Sequence, residues 1–316
     1  MEKNISGVNL WDVLIIGSGP AALTAAIYTS RGAASTLVLA GSTWGGQLML
    51  TTEVENFPGF PKGILGPELM QNMRLQAERF GAVIKDQDAR QIDIGSGYFE
   101  VKTDNASYKS RSIIIATGAS TKWLDAPGVK ELIGRGVSSC APCDAYFFKD
   151  KKVAVVGGGD SAMEEALVLS KYASQVIIIH RRDEFRASKI MQDKVFKNPK
   201  IKVYWNTEVK EAKGQDKLSS LVLVNNKTQE VREEPFDGLF VAIGHVPQSE
   251  IFKEKIEVDE KGYIKVFDHT KTNVPGVFVA GDVHDFRYRQ AVTAAGFGCM
   301  AALDTLSYLE NLEIGG

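Results

Sequence analysis

The sequence predicts an α/β fold made of two Rossmann-like dinucleotide-binding domains, the second inserted into the first. Three observations predict it. One apolar run ends in Gly17-Ser18-Gly19-Pro20-Ala21-Ala22 and another in Gly157-Gly158-Gly159-Asp160-Ser161-Ala162. Each is a strand–turn–helix signature whose glycines permit a tight turn and close backbone approach to a pyrophosphate. Each is followed downstream by an apolar run that stops at glycine, Gly118 in the first case and Gly244 in the second, so one architecture is used twice.

The chain has 316 residues, enough for two domains. Its 44% hydrophobic and 24% charged residues fit a soluble globular protein. A formal net charge of −2 supplies no global field for nucleic acid or an anionic membrane. No apolar run is expected to approach the length of a membrane span. Residues 1–7 have no export-signal core, so a cytoplasmic location is the default, and they read as a short disordered lead-in.

The first strand is expected over residues 11–16, continuously apolar as a buried parallel strand should be. Small Ala22 lets the following helix pack close, and the N–H groups at that helix start suit phosphate. Residues 35–40 complete strand–helix–strand. An acid that would hold a ribose is expected at the end of this strand, and Ala40 stands there instead. Residues 45–60 read as a polar and aromatic surface connection. Residues 67–80 read as an amphipathic helix with Leu69, Met73, Ala77 and Phe80 on one face. Residues 112–119 form the closing strand of the first module.

A pair of thiols follows, Cys140-Ala141-Pro142-Cys143, with Asp144 directly after it. In an intracellular α/β protein this spacing reads as a redox pair or a metal half-site. Zinc needs four ligands, and Cys299 and the four histidines are scattered along the chain.

The second module begins with a strand over residues 152–156, a helix over residues 161–172 and a strand over residues 175–179. Where an acid would select NAD, His180-Arg181-Arg182 stand, with Arg186 following. Cations there suit the 2′-phosphate of NADPH; the alternative is a solvated basic face. Residues 238–244 close this module. A last strand over residues 276–282 ends at Gly281-Asp282, and a helix follows over residues 291–309. This tail lacks a glycine fingerprint, so it is expected to complete the first domain. Cys299, among Phe297, Met300 and Ala301, reads as a packed core thiol.

Taken in order, these motifs resemble the low-molecular-weight NADPH-dependent thioredoxin reductases over essentially the whole chain. Further motifs that carry the likeness are Gly45-Gly46-Gln47-Leu48, Glu53-Val54-Glu55-Asn56, Ala116-Thr117-Gly118-Ala119, Ala280 to Val283 and Tyr288-Arg289-Gln290-Ala291. The resemblance implies an FAD domain from residues 1–120 and 247–316 and an inserted NADPH domain, residues 121–246, carrying the cysteines. It implies FAD contacts at Gly17, Ser18, Gly19, Pro20, Ala21, Gly46, Gln47, Asn56, Ala89, Thr117, Gly118, Gly281, Asp282, Arg289, Gln290 and Ala291. It implies NADPH contacts at Gly157, Gly159, Asp160, Ser161, Ala162, His180, Arg181, Arg182, Arg186, Ile243 and Gly244. It further implies a homodimer, thioredoxin as protein substrate, and catalysis by Cys140, Cys143 and Asp144. Cys143 is expected nearer the flavin, and Cys140 attacks thioredoxin. Asp144 is the expected acid, with a helix cap as the alternative role. Domain rotation between half-reactions is implied, with hinges near residues 119–122 and 244–248. Three residues depart from the family pattern: Ala40, Pro142 between the cysteines, and Ala145 in place of glycine.

Overall fold

The computed structural model describes residues 3–5, 8–95 and 97–314. The chain divides into two compact units, residues 1–120 with 246–316, and residues 121–245.

The first unit is organised on a branched sheet. Val83–Lys85, Thr36–Leu39, Val8–Ile16 and Ser107–Ile115 lie side by side and parallel. Ser107–Ile115 then serves two neighbours. Residues 107–110 pair antiparallel with Phe99–Lys102, while residues 113–115 pair parallel with Val277–Val279 from the distant tail. The tail, which lacks a glycine fingerprint, thus adds a strand to the sheet of the first unit. Val13, Leu14 and Ile15 are fully buried, because helices or loops cover both faces of the sheet. Each such side chain contributes roughly 1.5–3 kcal/mol of burial.

The helix Pro20–Arg31 packs along the 24-residue tail helix Ala291–Ile314. A Cβ at Gly298 would lie 2.1 Å from the Ala21 carbonyl oxygen, so only glycine permits this approach. The tail helix corrects one expectation. It is long and apolar enough to cross a membrane by length and composition. Its alanines and leucines, with Val292, Phe297, Cys299 and Met300, raise its hydropathy, yet Ala294, Ala301, Ala302 and Leu309 lie in the core cluster shared with the first helix. Cys299 in this helix is half-buried, and its thiol faces the Tyr28 hydroxyl.

Two further readings are corrected. Of the lead-in, Lys3–Ile5 forms a strand paired antiparallel with residues 8–10; residues 1, 2, 6 and 7 lie outside the described residues. The stretch over residues 45–60 is more than a surface connection. It contains a 3-10 turn, Gly46–Leu50, and the strand Glu53–Val54, which pairs with Ile64–Leu65. Val54 and Ile64 are buried with Leu23, Leu69 and Met70.

The second unit has a five-stranded, all-parallel sheet. Its order is Val137–Ser138, Gly238–Val241, Lys152–Val156, Gln175–Ile179 and Ile201–Tyr204. The fingerprint helix is Asp160–Leu169, shorter at its end than the sequence suggested. Three antiparallel strands, Thr207–Lys213, Ser220–Asn225 and Val231–Pro235, form a separate sheet in the crossover to Gly238–Val241. Alternating exposure along Val231–Pro235 marks its half-solvated character.

Candidate active site

The edge strand Val137–Ser138 delivers the thiol pair to the carboxyl end of the parallel sheet, where open α/β sheets place their ligands. A single helical turn, Ala141–Asp144, follows with Pro142 in its first positions. Proline suits a helix start, since its missing N–H has no partner to lose there. Cys140 and Cys143 are joined in a disulfide with a Cα–Cα distance of 5.3 Å. Cys140 is half-buried and Cys143 exposed.

The turn is held by side chains on both sides. The Ser138 hydroxyl donates to Asp144 Oδ2 and accepts the Cys140 N–H at 3.1 Å. The Ala141 N–H donates to Glu165 on the fingerprint helix. The Cys143 and Asp144 N–H groups both donate to the Cys140 carbonyl, at 3.2 and 3.1 Å. Asp144 caps no helix with its side chain, so the cap role does not hold. Burial pushes its carboxyl above the ordinary range, against the opposing Ser138 hydrogen bond. Ser138 and Glu165 were not legible as site residues. Ser138 was visible only as a serine two places before the first cysteine, and nothing local marked Glu165.

Beside this turn, the second fingerprint adopts its expected shape. A Cβ at Gly157 would lie 2.5 Å from the Ala242 carbonyl oxygen and 2.7 Å from the Ala162 methyl. Gly159 faces open space at the start of the helix. The following basic loop folds back on the fingerprint. The Gly158 carbonyl accepts the N–H groups of Arg186 and Ala187, at 2.8 and 3.1 Å. Asp160 Oδ1 accepts the N–H and hydroxyl of Ser188, at 2.9 and 2.8 Å, which holds its carboxyl below the usual range. Arg181, Arg182 and Arg186 are exposed on this loop, as is Ser161 at the helix start. His180 is placed differently. It is buried against Gly158, with Nε2 bonded to the Glu184 carbonyl at 3.0 Å, and burial lowers its pKa. It therefore supports the loop as a neutral ring. Ile243 is exposed and Gly244 accepts the Lys122 N–H at 3.0 Å.

The first unit forms a separate cradle. A Cβ at Gly17 would lie 2.1 Å from the Ala116 carbonyl oxygen, so glycine alone permits the turn. Buried Ser18 donates to the Ala40 carbonyl at 2.7 Å and accepts the Gly45 N–H at 2.8 Å. That brings Gly46 over Gly19, where a Cβ would stand 3.3 Å from the Gly19 Cα. Pro20 and Ala21 open the helix behind it, and Gln47 follows Gly46 on an exposed turn. Asn56 and Gln290 share a hydrogen bond of 3.3 Å, which joins a loop of the first half to the start of the tail helix at Ala291. Thr117 donates to the Gln248 carbonyl at 2.5 Å, and Gly118 accepts the Gln248 N–H at 2.9 Å. Ala89 is half-buried against the sheet core. Gly281 accepts the N–H groups of His284 and Asp285, both at 3.1 Å. Asp285 in turn accepts the Arg289 N–H at 3.4 Å. Asp282 Oδ1 is buried without a hydrogen-bond partner. Burial and neighbouring Asp285 push this carboxyl up to about 7, with Arg289 opposing.

The sequence profile of the pyridine nucleotide-disulphide oxidoreductases matches residues 11–298. The chain belongs to this family.

Its relatives within the family are specific. A thioredoxin reductase of Streptomyces coelicolor is 53% identical over 306 residues, covering 96% of this chain and 95% of that protein. A bifunctional thioredoxin reductase/thioredoxin of Mycobacterium leprae is 48% identical over 300 residues, covering 94% of this chain and 66% of that longer protein. The crystal structure of thioredoxin reductase from Streptococcus pyogenes superposes with a TM-score of 0.92 at 41% identity, covering 96% of this chain and 99% of that one. The chain is thus an oxidoreductase, and its Cys140–Cys143 disulfide fits the redox-active pair of these enzymes. The pyridine nucleotide-disulphide oxidoreductases use flavin and nicotinamide cofactors, and the cradle of the first unit fits a group that carries phosphate and hydroxyls. Gly19 leaves room at a helix N-terminus for phosphate, and the partnerless Asp282 oxygen calls for a hydroxyl donor.

Proposed function

We propose that this chain is an NADPH-dependent, FAD-containing thioredoxin-disulfide reductase. One observation carries the reading: an accessible disulfide, Cys140–Cys143, stands beside a half-buried carboxyl, Asp144, whose pKa is raised by burial. A thiol-exchange reaction needs both an accessible sulfur and a proton source. The fused thioredoxin of the Mycobacterium leprae relative supports thioredoxin as substrate.

In this reading residues 1–120 and 247–316 hold FAD, and residues 121–246 hold NADPH. Ser18, Gly19, Gly46, Gln47, Asn56, Ala89 and residues 281–291 orient the flavin, with Asp282 accepting from its ribityl hydroxyls. Arg181, Arg182 and Arg186 bind the 2′-phosphate, and Gly157, Gly159 and the helix start at residues 160–162 receive the pyrophosphate. A bound flavin supplies the capacity to take a hydride and pass on two electrons. After reduction of the disulfide, the Cys140 thiolate attacks one sulfur of the thioredoxin disulfide. A mixed disulfide forms and a thioredoxin thiolate leaves. Cys143 then attacks Cys140, which restores the enzyme disulfide and releases the second thiolate. Asp144 in its protonated form supplies a proton to the leaving thiolate and regains one from solvent.

The dithiol lies in one unit and the flavin cradle in the other. The proposal therefore includes a reorientation of the units between half-reactions, with bending at residues 119–122 and 244–248. It also includes a homodimer and a cytoplasmic location, supported by the kinship and the composition. The test is an anaerobic NADPH titration followed by addition of thioredoxin disulfide. The yellow protein bleaches with NADPH and regains its colour with thioredoxin; a colourless protein, or one indifferent to thioredoxin, contradicts the reading.

A further inference from the structure

The dithiol turn has an unusual distribution of its N–H groups. A helix N-terminus ordinarily stabilises a thiolate, because its unpaired N–H groups and dipole face the sulfur. Here those groups are committed elsewhere. The Cys140 N–H goes to the Ser138 hydroxyl, and the Ala141 N–H goes to the Glu165 carboxylate. Pro142 has no N–H, and the next two donate to the Cys140 carbonyl. The acceptor at Ala141 is a carboxylate carried on a different element, the helix Asp160–Leu169 that also begins the nucleotide site.

We propose that Glu165 is a positioning residue for the dithiol: it fixes the turn through the Ala141 N–H and places a negative charge beside Cys140. The proposal rests on the reading of Cys140–Cys143 as a redox pair and deepens it. Reduction of the disulfide takes two electrons and two protons and yields two thiols. Ionisation of Cys140 then releases one proton and creates a thiolate next to the Glu165 carboxylate. Like charges disfavour that ionisation. The thiol form is kept, and the thiolate, when formed, is the stronger nucleophile, because nucleophilicity rises with thiol basicity. Groups from several neighbouring elements face the turn. The edge strand supplies the Ser138 hydroxyl, the turn itself supplies Asp144, the fingerprint helix supplies Glu165, and Thr121 bonds the Ser139 hydroxyl at 3.1 Å. Asp144 and Glu165 are the charged members of this set.

The experiment measures alkylation of Cys140 by iodoacetamide against pH in the reduced holoenzyme, with Cys140 and Cys143 separated by peptide mass mapping. Glu165→Gln keeps an acceptor for the Ala141 N–H and removes the charge. Its pH midpoint for Cys140 falls by about one unit, the scale of a single neighbouring charge. The thiolate fraction at pH 7 then rises about tenfold, and the alkylation rate about threefold once the weaker nucleophilicity is included. Glu165→Asp, which retains the charge, returns the midpoint toward wild type. A Glu165→Gln profile that superposes on wild type overturns the proposal. So does an equal shift in Glu165→Asp and Glu165→Gln, since that reports loss of packing alone. Alkylation needs no thioredoxin, so a failure of the thioredoxin assignment leaves this result readable.

Discussion

The Ser138 hydroxyl bonds Asp144 Oδ2 while accepting the N–H of Cys140, so the acid and the first cysteine are tied through one serine. The bond stabilises the ionised carboxylate, whereas burial favours its protonated form, and burial is the larger effect. The acid therefore retains protons further toward neutrality than an exposed aspartate does.

Asp144→Asn removes the proton source and leaves the shape. Thioredoxin-dependent turnover falls roughly 100-fold or more, the usual range for a general acid. Bleaching of the flavin by NADPH is unchanged in stopped-flow traces. Ser138→Ala removes the bond that favours the carboxylate, so the alkaline limb of turnover, lost as Asp144 deprotonates, moves to higher pH. An alkaline limb that stays in place removes Asp144 from the assignment.

Arg181 and Arg182 are exposed at the end of the strand Gln175–Ile179, where a 2′-phosphate is expected. Replacing both with glutamine raises KM for NADPH about 10- to 100-fold, the worth of one or two charge-assisted hydrogen bonds. KM for NADH changes little. Steady-state kinetics with both nucleotides checks this, and equal effects on the two identify the loop as a solvated basic face.

Gly157 and Gly159 separate structure from binding. A methyl at position 157 meets the Ala242 carbonyl oxygen at 2.5 Å, whereas at position 159 it meets nothing within 4 Å. Gly157→Ala costs about 1–3 kcal/mol of stability by overpacking. Gly159→Ala folds with near wild-type stability and loses NADPH affinity, because its methyl enters the space proposed for the pyrophosphate. Urea denaturation and nucleotide titration of the two variants give opposite rankings.

Asp282 and His284 give the first unit a pH signature in the flavin-free protein. Burial raises Asp282 to about 7 and lowers His284 to about 4. An acid with a raised folded-state pKa holds a proton that the unfolded chain has released, so its contribution falls as pH rises from about 4 to 7. The histidine acts oppositely, losing stability as pH falls from about 6.5 to 4. Between pH 4 and 6.5 the two slopes cancel. Asp282→Asn removes the falling slope and leaves the histidine's, so its urea midpoint rises with pH across that window more steeply than that of wild type.

Much of this fold was readable because its strands are short, continuous apolar runs ending at glycine. Val13 to Ile15 and Val176 to Ile178 are buried on both sides, and such runs carry no competing signal. Of the antiparallel strands over residues 207–235, Thr207–Lys213 and Val231–Pro235 alternate charged and apolar residues with little apolar content, as on a half-solvated sheet, and the apolar run of Ser220–Asn225 ends at no glycine that would mark it. The cysteines and arginines announced themselves by type and spacing. His180 did not announce its inward orientation, since a cation at that point in sequence looks the same whether it faces ligand or Gly158. Glu165 and Ser138 act through contacts that the fold creates, the first across 24 residues.

The most direct test of the electron path compares wild type with Cys140→Ser. NADPH is added anaerobically, flavin absorbance is followed, and oxidised thioredoxin is then supplied with excess NADPH. Flavin bleaching is expected in both proteins, with sustained NADPH consumption in wild type and none in the variant. Thioredoxin reduction by Cys140→Ser at the wild-type rate contradicts this electron path.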